Sequence, residues 1–210
     1  ASDLSFRFSH SESRFAIASS RQADKIRQIT SELSDFENLI LFDEESRKDS
    51  KELLYSEIVE NGRKEVSDNL EYICSTINHD DLAVISYTSG TTANPKGIML
   101  SHRNFTANVE QANSIFEVPE WYTTLLILPW DHSFAHTVGL YTMVLNGASI
   151  SVVDPGKGGM DTLRNIPINI KETKPVFLLS VPALANNFKK NIENGISAQG
   201  ATAQKLFKHA

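Results

Sequence analysis

Short apolar runs alternate along this chain with segments in which apolar residues recur every three or four positions. The runs, which predict strands, are residues 15–18, 39–42, 82–86, 98–100, 124–128, 149–153 and 176–179. The segments of helical spacing include Ile26–Leu33, Leu53–Ile58 with Gly62 to end it, Phe105–Ile115 with Ser101 as its cap, and Phe134–Leu145. This alternation predicts an α/β fold: a mostly parallel sheet with helices on both faces, and ligands bound at the carboxyl ends of strands.

The length and composition are those of one substantial globular domain. The 210 residues are 40% hydrophobic and 22% charged, so the chain can bury a sizeable core, and no domain boundary is evident. A net charge of −6 argues against a nucleic-acid partner. No apolar run is long enough to cross a bilayer, and no signal peptide opens the chain. We therefore expect a cytoplasmic protein.

Single residues and short polar segments add three further expectations. Cys74 is the one cysteine, which favours a reducing compartment, and without a neighbouring base it is predicted to be a buried, unreactive thiol. The first ten residues, Ala1–His10, and the purely polar segment Arg47–Lys51 are predicted to be the least ordered parts of the chain.

A loop of hydroxyls and glycines interrupts two apolar runs at YTSGTTANPKG, residues 87–97. Glycines allow a tight turn whose free N–H groups form a concave nest for an anion. The neighbouring donors that suit a polyphosphate are Thr88, Ser89, Thr91, Thr92 and the ammonium group of Lys96. Because the same residue types also form plain solvated turns, composition alone leaves both interpretations open.

The loop also invites comparison with the Walker motif G-x-x-x-x-G-K-[ST]. Gly90 and Lys96 have the required separation, but Pro95 and Gly97 occupy the positions of the second glycine and of the Mg²⁺-binding hydroxyl. A Walker loop also leads directly into a helix, whereas here an apolar run, Ile98–Leu100, follows Lys96. These differences disfavour a P-loop NTPase.

Over its full length, YTSGTTANPKGIMLSHRN (residues 87–104) closely resembles the phosphate-loop signature of the adenylate-forming superfamily. One position departs from it, because Ala93 stands where that family usually has glycine. The segment LPWDHSFAHTVGLYTMVLNGASISVV resembles the family's next motif, with counterparts at Leu128, Pro129, His132 and Gly147. The segment VFLLSVPALANNF (residues 176–188) resembles the following strand and helix. The sequence is most similar to the long-chain fatty acid–CoA ligases.

The resemblance implies a two-step reaction with ATP, Mg²⁺, a fatty acid and CoA. A fatty acid carboxylate attacks the α-phosphorus of ATP to give an acyl adenylate and pyrophosphate, and the CoA thiol then displaces AMP. The implied phosphate-binding residues are Thr88, Ser89, Gly90, Thr91, Thr92 and Lys96. Lys96 and His132 are the implied catalytic residues, with His132 on the acyl and nucleotide side, and no metal-ligating residue is assigned.

The resemblance also implies that residues 1–210 are part of a larger N-terminal AMP-binding domain, with the phosphate loop at residues 87–97. The family's later motifs and its C-terminal lid domain are missing, so we expect this chain to be inactive by itself. Strand edges that lack their partners are expected to promote self-association. Peripheral membrane contact is an expectation for the full-length enzyme. Three alternatives stay open: a different acid (short-chain, aryl or amino acid), the less favoured P-loop NTPase, and a non-catalytic binding protein.

Three other features allow both a structural and a functional interpretation. His132 and His136 are four residues apart, but Ser133 occupies the place of the glutamate that a zinc protease would need between them, so His136 is predicted to make only a local hydrogen bond. The glycine-rich segment Asp154–Gly159 is predicted to be a flexible surface connection. The apolar side chains of residues 134–143 are predicted to pack in the core, and one side of that helix can line an acyl channel.

Overall fold

A computed structural model describes residues 2–49, 51–65, 69–88, 95–130, 132–202, 205 and 207. The chain divides into two compact units, Ala1–Asn104 and Phe105–Ala210, whereas the sequence suggests no boundary. The α/β fold class is confirmed: helices alternate with strands, and both three-stranded sheets are parallel. None of the described helices is long and apolar enough to cross a membrane.

The first unit begins with a parallel sheet and continues into an antiparallel pair of strands. Its elements are α1 (Ser2–His10), β1 (Phe15–Ala18), α2 (Ser20–Arg27), β2 (Asn38–Leu41), β3 (Leu53–Leu54), α3 (Tyr55–Lys64), α4 (Asn69–Thr76), β4 (Leu82–Thr88) and β5 (Lys96–Ser101), with 3₁₀ turns at Thr30–Glu32 and Glu44–Ser46. The sheet order is β1-β2-β3. Alternate residues of β1 are buried, so that Ala16 and Ala18 join Leu39 and Leu41 of β2 and Ile26 of α2 in one core.

A charged network fixes the connection between α2 and β3. The Arg27 guanidinium donates to both carboxylate oxygens of Glu52, with N–O distances of 2.6 and 2.8 Å, and to the Ser46 carbonyl at 2.7 Å. Glu52 is buried, and its hydrogen bonds to Arg27 lower the pKa of its carboxyl to about 2. The carboxylate also accepts from the Lys48 backbone N–H, so the polar segment around residue 48 is tied to the sheet.

The second unit is built on a parallel sheet with the order β7-β6-β8. Its elements are α5 (His102–Ile115, which begins in the first unit), β6 (Thr123–Leu126), a π-helix (Ala135–Tyr141), α6 (Thr142–Leu145), β7 (Ser149–Val152), α7 (Met160–Thr173), β8 (Phe177–Leu179) and α8 (Pro182–Ala198). The central strand β6 is almost wholly buried. Thr124 is buried, and its hydroxyl donates to the Phe177 carbonyl of β8 at 3.2 Å, so this buried polar group has a hydrogen-bond partner.

The π-helix lies close against the sheet at Gly139. A Cβ atom at this position would lie 2.5 Å from Leu126 Cδ1 and 3.2 Å from Leu179 Cδ1, and both leucines are buried. The missing side chain therefore sets how closely the π-helix approaches strands β6 and β8. The wider turn of the π-helix is accompanied by a hydrogen bond from the Thr142 hydroxyl to the Thr137 carbonyl at 2.9 Å.

Four expectations from the sequence are wrong. Ala1–His10 was expected to be poorly ordered, but residues 2–10 form α1, whose Leu4 and Phe8 pack against the core of the first unit. Leu53 and Leu54 belong to strand β3 rather than to a helix. Gly62 lies inside α3, which continues to Lys64, and does not end it. Cys74 is exposed rather than buried, since α4 contributes no described residue to a core.

We expect Gly139→Ala to destabilise the full-length protein by about 1–3 kcal/mol, because the new methyl group overlaps Leu126 within a packed core. This loss outweighs the gain of roughly 0.5–1 kcal/mol that alanine normally gives over glycine in a helix. The matched control is Gly195→Ala in α8, where nothing lies within 4 Å of the new Cβ, and it should be neutral or stabilising. Thermal unfolding of the two variants checks the difference, and equal midpoints would contradict the tight contact at Gly139.

Candidate functional site

The antiparallel hairpin of β4 and β5 brings two predicted phosphate-binding residues together. Its register pairs Tyr87 with Gly97 and Thr88 with Lys96. Thr88 and Lys96 therefore face each other at the base of the loop, where the chain enters and leaves it. The other predicted loop residues, Ser89, Gly90, Thr91 and Thr92, lie outside the described residues.

The two faces of the hairpin are different in character. Because side chains alternate along a strand, Thr88 and Lys96 share one face, while Tyr87 and Gly97 share the other. Thr88 and Lys96 are both exposed, whereas Tyr87 is half-buried against α1. The hairpin therefore exposes a hydroxyl and an ammonium group on one face, while α1 contacts its other face. These groups suit the oxygens of an anion, and they provide no carboxylate ligand for a metal.

At the end of the hairpin opposite the loop, residues of the SHRN part of the signature form hydrogen bonds. The Arg103 guanidinium donates to both carboxylate oxygens of Asp80, with N–O distances of 2.6 and 3.1 Å, and these hydrogen bonds lower the pKa of Asp80. The Ser101 backbone N–H and hydroxyl both donate to Asn104 Oδ1, at 2.9 and 3.1 Å. Helix α5 begins at His102, directly after β5. The order strand, loop, strand, helix is as expected, and it differs from the strand, loop, helix order of a Walker motif.

His132 lies in the second unit, beyond the carboxyl end of β6, and its side chain is exposed. The backbone N–H of Phe134 donates to His132 Nδ1 at 3.2 Å. Since Nδ1 accepts in this arrangement, the neutral ring carries its proton on Nε2. The imidazole therefore has a fixed orientation, and a hydrogen-bond donor remains for a ligand.

His136 packs with aromatic residues. Its ring stacks on Tyr141, with centroids 5.5 Å apart and an interplanar angle of 19°, and Phe105 meets it edge-on at 6.1 Å. Among the residues that the structure describes, no group of three histidine, cysteine or acidic side chains could hold a metal ion. The expected local hydrogen bond is thus replaced by ring packing.

An apolar cavity of about 610 Å³ lies within the second unit. Its lining includes Phe134 and Val138 from the π-helix region, Phe177 and Leu179 of β8, and Phe116, which follows α5. Among the described residues that line the cavity, Glu117 alone carries a charge. The volume is within the range of about 300–1,000 Å³ that small-molecule sites have. Along this helix Met143 is buried and Val138 lines the cavity, whereas Phe134, which was expected to pack in the core, is exposed at the cavity.

The glycine-rich segment after β7 is held by hydrogen bonds to α7. The Gly156 backbone N–H donates to Asp154 Oδ1 at 2.8 Å, and the Lys157 N–H donates to Asp161 Oδ2 at 3.3 Å. Asn165 and Asn169 bond to the backbone of Asp154 from the same helix. These hydrogen bonds pair several backbone groups of this surface segment, one within the segment and the others with side chains of α7.

With the fold and the two sets of residues placed, comparison with known proteins identifies the family. The family model described as AMP-binding enzyme matches residues 1–209, and the chain belongs to this family. It is 29% identical to fatty acyl-CoA synthetase B of Dictyostelium discoideum, over 99% of this chain and 30% of that protein. It is 26% identical to the long-chain-fatty-acid–CoA ligase ACSBG1 of Rattus norvegicus, over 89% of this chain and 26% of that protein.

Solved structures share the fold at lower identity. The anthranilate CoA ligase AuaEII, in complex with anthranoyl-AMP, matches with a TM-score of 0.64 and 20% identity, over 84% of this chain and 32% of that one. ATP-bound MatB from Rhodopseudomonas palustris matches with a TM-score of 0.61 and 20% identity, over 88% of this chain and 33% of that one. The resemblance to adenylate-forming enzymes and to part of their N-terminal domain is confirmed. The chain spans 30% or less of the length of the two curated relatives.

Several contacts that shape the site could not be predicted from the sequence. Tyr87 and Gly97 are part of the signature, but their contact with α1 depends on His10 and Arg7, which are about 80 positions away. Arg103 also belongs to the signature, and only the structure shows its pairing with Asp80. The cavity is lined by three separated segments, and the sequence indicated only the helix after His132.

We expect Lys96→Ala in the full-length protein to lower acid-dependent ATP–pyrophosphate exchange by about 100-fold, as loss of one fixed donor does elsewhere. Its stability should change by no more than about 0.5 kcal/mol, because Lys96 is exposed. Lys157→Ala, which removes an exposed lysine from the second glycine-rich segment, is the matched control and should leave exchange unchanged. Activity of Lys96→Ala within about twofold of the parent would exclude a phosphate ligand at this position.

Two substitutions at His132 separate its contact with the helix from its contact with a ligand. Asparagine can accept from the Phe134 N–H as Nδ1 does, so His132→Asn should keep the parent's stability, whereas His132→Ala should lose about 0.5–1 kcal/mol. Both variants should slow adenylate formation or shift the acid preference, because both lack Nε2. Exchange kinetics with several acids and unfolding curves are the measurements. Parent-like kinetics in His132→Asn would make His132 purely structural.

Proposed function

We propose that the protein containing this chain is an ATP-dependent acid–thiol ligase that activates a long-chain fatty acid and transfers it to CoA. The observation that carries the proposal is the hairpin base, where the pairing of Thr88 with Lys96 holds a hydroxyl and a cation at the two ends of the signature loop. An ammonium group fixed there before the reaction stabilises charge that moves onto the leaving pyrophosphate.

The reaction proceeds by two displacements. A carboxylate oxygen attacks the α-phosphorus of ATP, the bond to the bridging oxygen breaks, and pyrophosphate leaves. The CoA thiolate then attacks the acyl carbon, a thioester forms and AMP leaves. The relatives named above are fatty acyl-CoA ligases, and the structural neighbours were solved with an acyl adenylate and with ATP, which supports both steps.

The donors of this chain suit phosphate oxygens rather than a metal. Thr88 and Lys96 supply a hydroxyl and a positive charge at the hairpin base. Mg²⁺ is accordingly proposed to arrive with ATP, held mainly by the phosphates, and to share their negative charge. His132, with its proton on Nε2, is proposed to donate to the acyl or nucleotide group.

The apolar cavity of the second unit favours a fatty acid over a polar acid. Its lining of Phe116, Phe134, Val138 and Phe177 offers aliphatic and aromatic surface to a hydrocarbon chain. Each CH₂ group that leaves water for such a surface contributes about 0.8 kcal/mol. An aryl or amino acid would leave much of a cavity of about 610 Å³ unfilled.

A carboxylate panel in the pyrophosphate exchange assay tests this function on the full-length protein. Butyrate, octanoate, laurate, palmitate, anthranilate and phenylalanine are compared at equal concentration. We expect kcat/KM to rise by about two- to fourfold per added CH₂ until the cavity is filled. Exchange with anthranilate or phenylalanine alone would show that the substrate is an aryl or amino acid and not a fatty acid. No exchange with any carboxylate would overturn the proposed ligase activity.

Enlarging one residue of the cavity should change the preferred chain length. Val138→Trp places an indole in the space that Val138 borders, so kcat/KM for palmitate should fall at least about 10-fold while octanoate is less affected. Val144→Trp is the control, because Val144 is exposed on the adjoining helix α6 and does not line the cavity. If the two variants gave the same chain-length profile, the cavity would not hold the acyl chain.

A further inference from the structure

Helix α1 makes a specific polar contact with the strand that leads into the phosphate loop. His10 Nδ1 lies 2.8 Å from the Tyr87 hydroxyl oxygen, and the Tyr87 hydroxyl donates to the Arg7 carbonyl at 3.3 Å. Both contacts are satisfied together when the His10 Nδ1–H donates to the phenol oxygen and the phenol donates to the carbonyl. These hydrogen bonds join Tyr87 to two residues that lie 77 and 80 positions before it in the chain.

The contact is reinforced by the two rings and the Arg7 side chain. The His10 ring meets the Tyr87 ring edge-on, with centroids 5.8 Å apart, and the Arg7 guanidinium lies 5.6 Å from the centroid of the same ring. A cavity of about 350 Å³ between α1 and β4, lined by Arg7, Phe8, Ile85 and Tyr87 among others, leaves little further packing there. The polar contacts with Tyr87 therefore contribute much of the attachment of α1 to the hairpin.

Gly97 makes room for this arrangement. A Cβ at residue 97 would lie 3.0 Å from Ile85 Cγ2, 3.2 Å from Tyr87 Cε1 and 3.4 Å from His10 Cε1. The Tyr87 ring thus covers its cross-strand glycine neighbour, and the His10 ring lies beside both. Thr88 and Lys96, each one residue nearer to the loop, lie on the opposite, exposed face of the hairpin.

We infer that His10 and Tyr87 are positioning residues for nucleotide binding, an inference that rests on the proposed ligase function. They touch no reacting atom. They hold the back of the hairpin at the last residue pair before Thr88 and Lys96, so the entry and exit of the phosphate loop keep a fixed separation and direction. Loss of the contact loosens these two ends and weakens the binding of a polyphosphate, while the apolar acid site in the second unit is unaffected.

A double-mutant cycle in the full-length protein tests this inference. The variants are His10→Ala, Tyr87→Phe, the double variant, and His10→Asn, which can still hydrogen-bond to the Tyr87 hydroxyl. We expect His10→Ala, which removes one hydrogen bond, to raise the KM for ATP by about 3- to 10-fold. Tyr87→Phe also removes the hydrogen bond to the Arg7 carbonyl and should raise this KM at least as much, and in both variants the KM for palmitate should change by less than about twofold. The double variant should bind ATP no more weakly than Tyr87→Phe alone, because that change already removes the His10–Tyr87 hydrogen bond, and His10→Asn should recover most of the affinity lost in His10→Ala.

Two further measurements separate positioning from general stability and from the proposed function itself. Titration calorimetry with a non-hydrolysable ATP analogue should show the same loss of affinity as the KM, and it requires no turnover. Tyr72→Phe and His79→Asn are the matched controls, because both residues are exposed elsewhere in the first unit, and they should leave binding unchanged.

The outcomes are distinct. A parent enzyme without exchange activity and without nucleotide binding would overturn the proposed function. An active parent whose Tyr87→Phe and His10→Ala variants bind the ATP analogue as the parent does would overturn the positioning role alone. Variants that lose ATP and palmitate affinity equally, in step with a lower unfolding temperature, would also overturn it.

Discussion

The antiparallel pairing of β4 with β5 is the constraint on which the candidate site depends. Backbone hydrogen bonds fix the register, and the register alone places Thr88 opposite Lys96 and Tyr87 opposite Gly97. A shift of one residue would move Lys96 to the face covered by α1 and expose Tyr87. The ion pair of Arg103 with Asp80 at one end and the contact of Tyr87 with His10 at the other secure the same register from outside the two strands.

A second constraint acts in the other unit, where a glycine determines how closely a helix packs on a sheet. Gly139 allows the π-helix to approach Leu126 and Leu179, and the same helix region presents Phe134 and Val138 to the apolar cavity. His132 lies just before it, and its Nδ1 accepts a hydrogen bond from the Phe134 backbone N–H. The close contact at Gly139 therefore sets the position of the helix that borders the cavity, and a separate hydrogen bond orients the His132 ring. In both units, the polar groups proposed to act on substrate lie at strand ends, where the fold leaves them exposed.

Much of the fold was predictable because apolar runs and helical spacing are local properties. Strands β1, β2, β4 and β6 lie within one or two residues of the runs that predicted them. The failures share a physical cause. Residues 1–10 were expected to be poorly ordered, but Leu4 and Phe8 of α1 pack against a core formed by distant strands. Cys74 was expected to be a buried thiol because no base stands beside it in the sequence, but its helix α4 contributes no described residue to a core.

The sequence by itself determined the α/β class and the family, because the signature from Tyr87 to Asn104 and the alternation of strands and helices are written in consecutive residues. Only the tertiary structure decided that His10 supports Tyr87, that Gly97 and Gly139 are needed for close packing, and that separated segments line an apolar cavity. The reason is physical: these contacts join residues far apart in the chain. Their energies depend on distances that packing sets and that no local pattern of residues records.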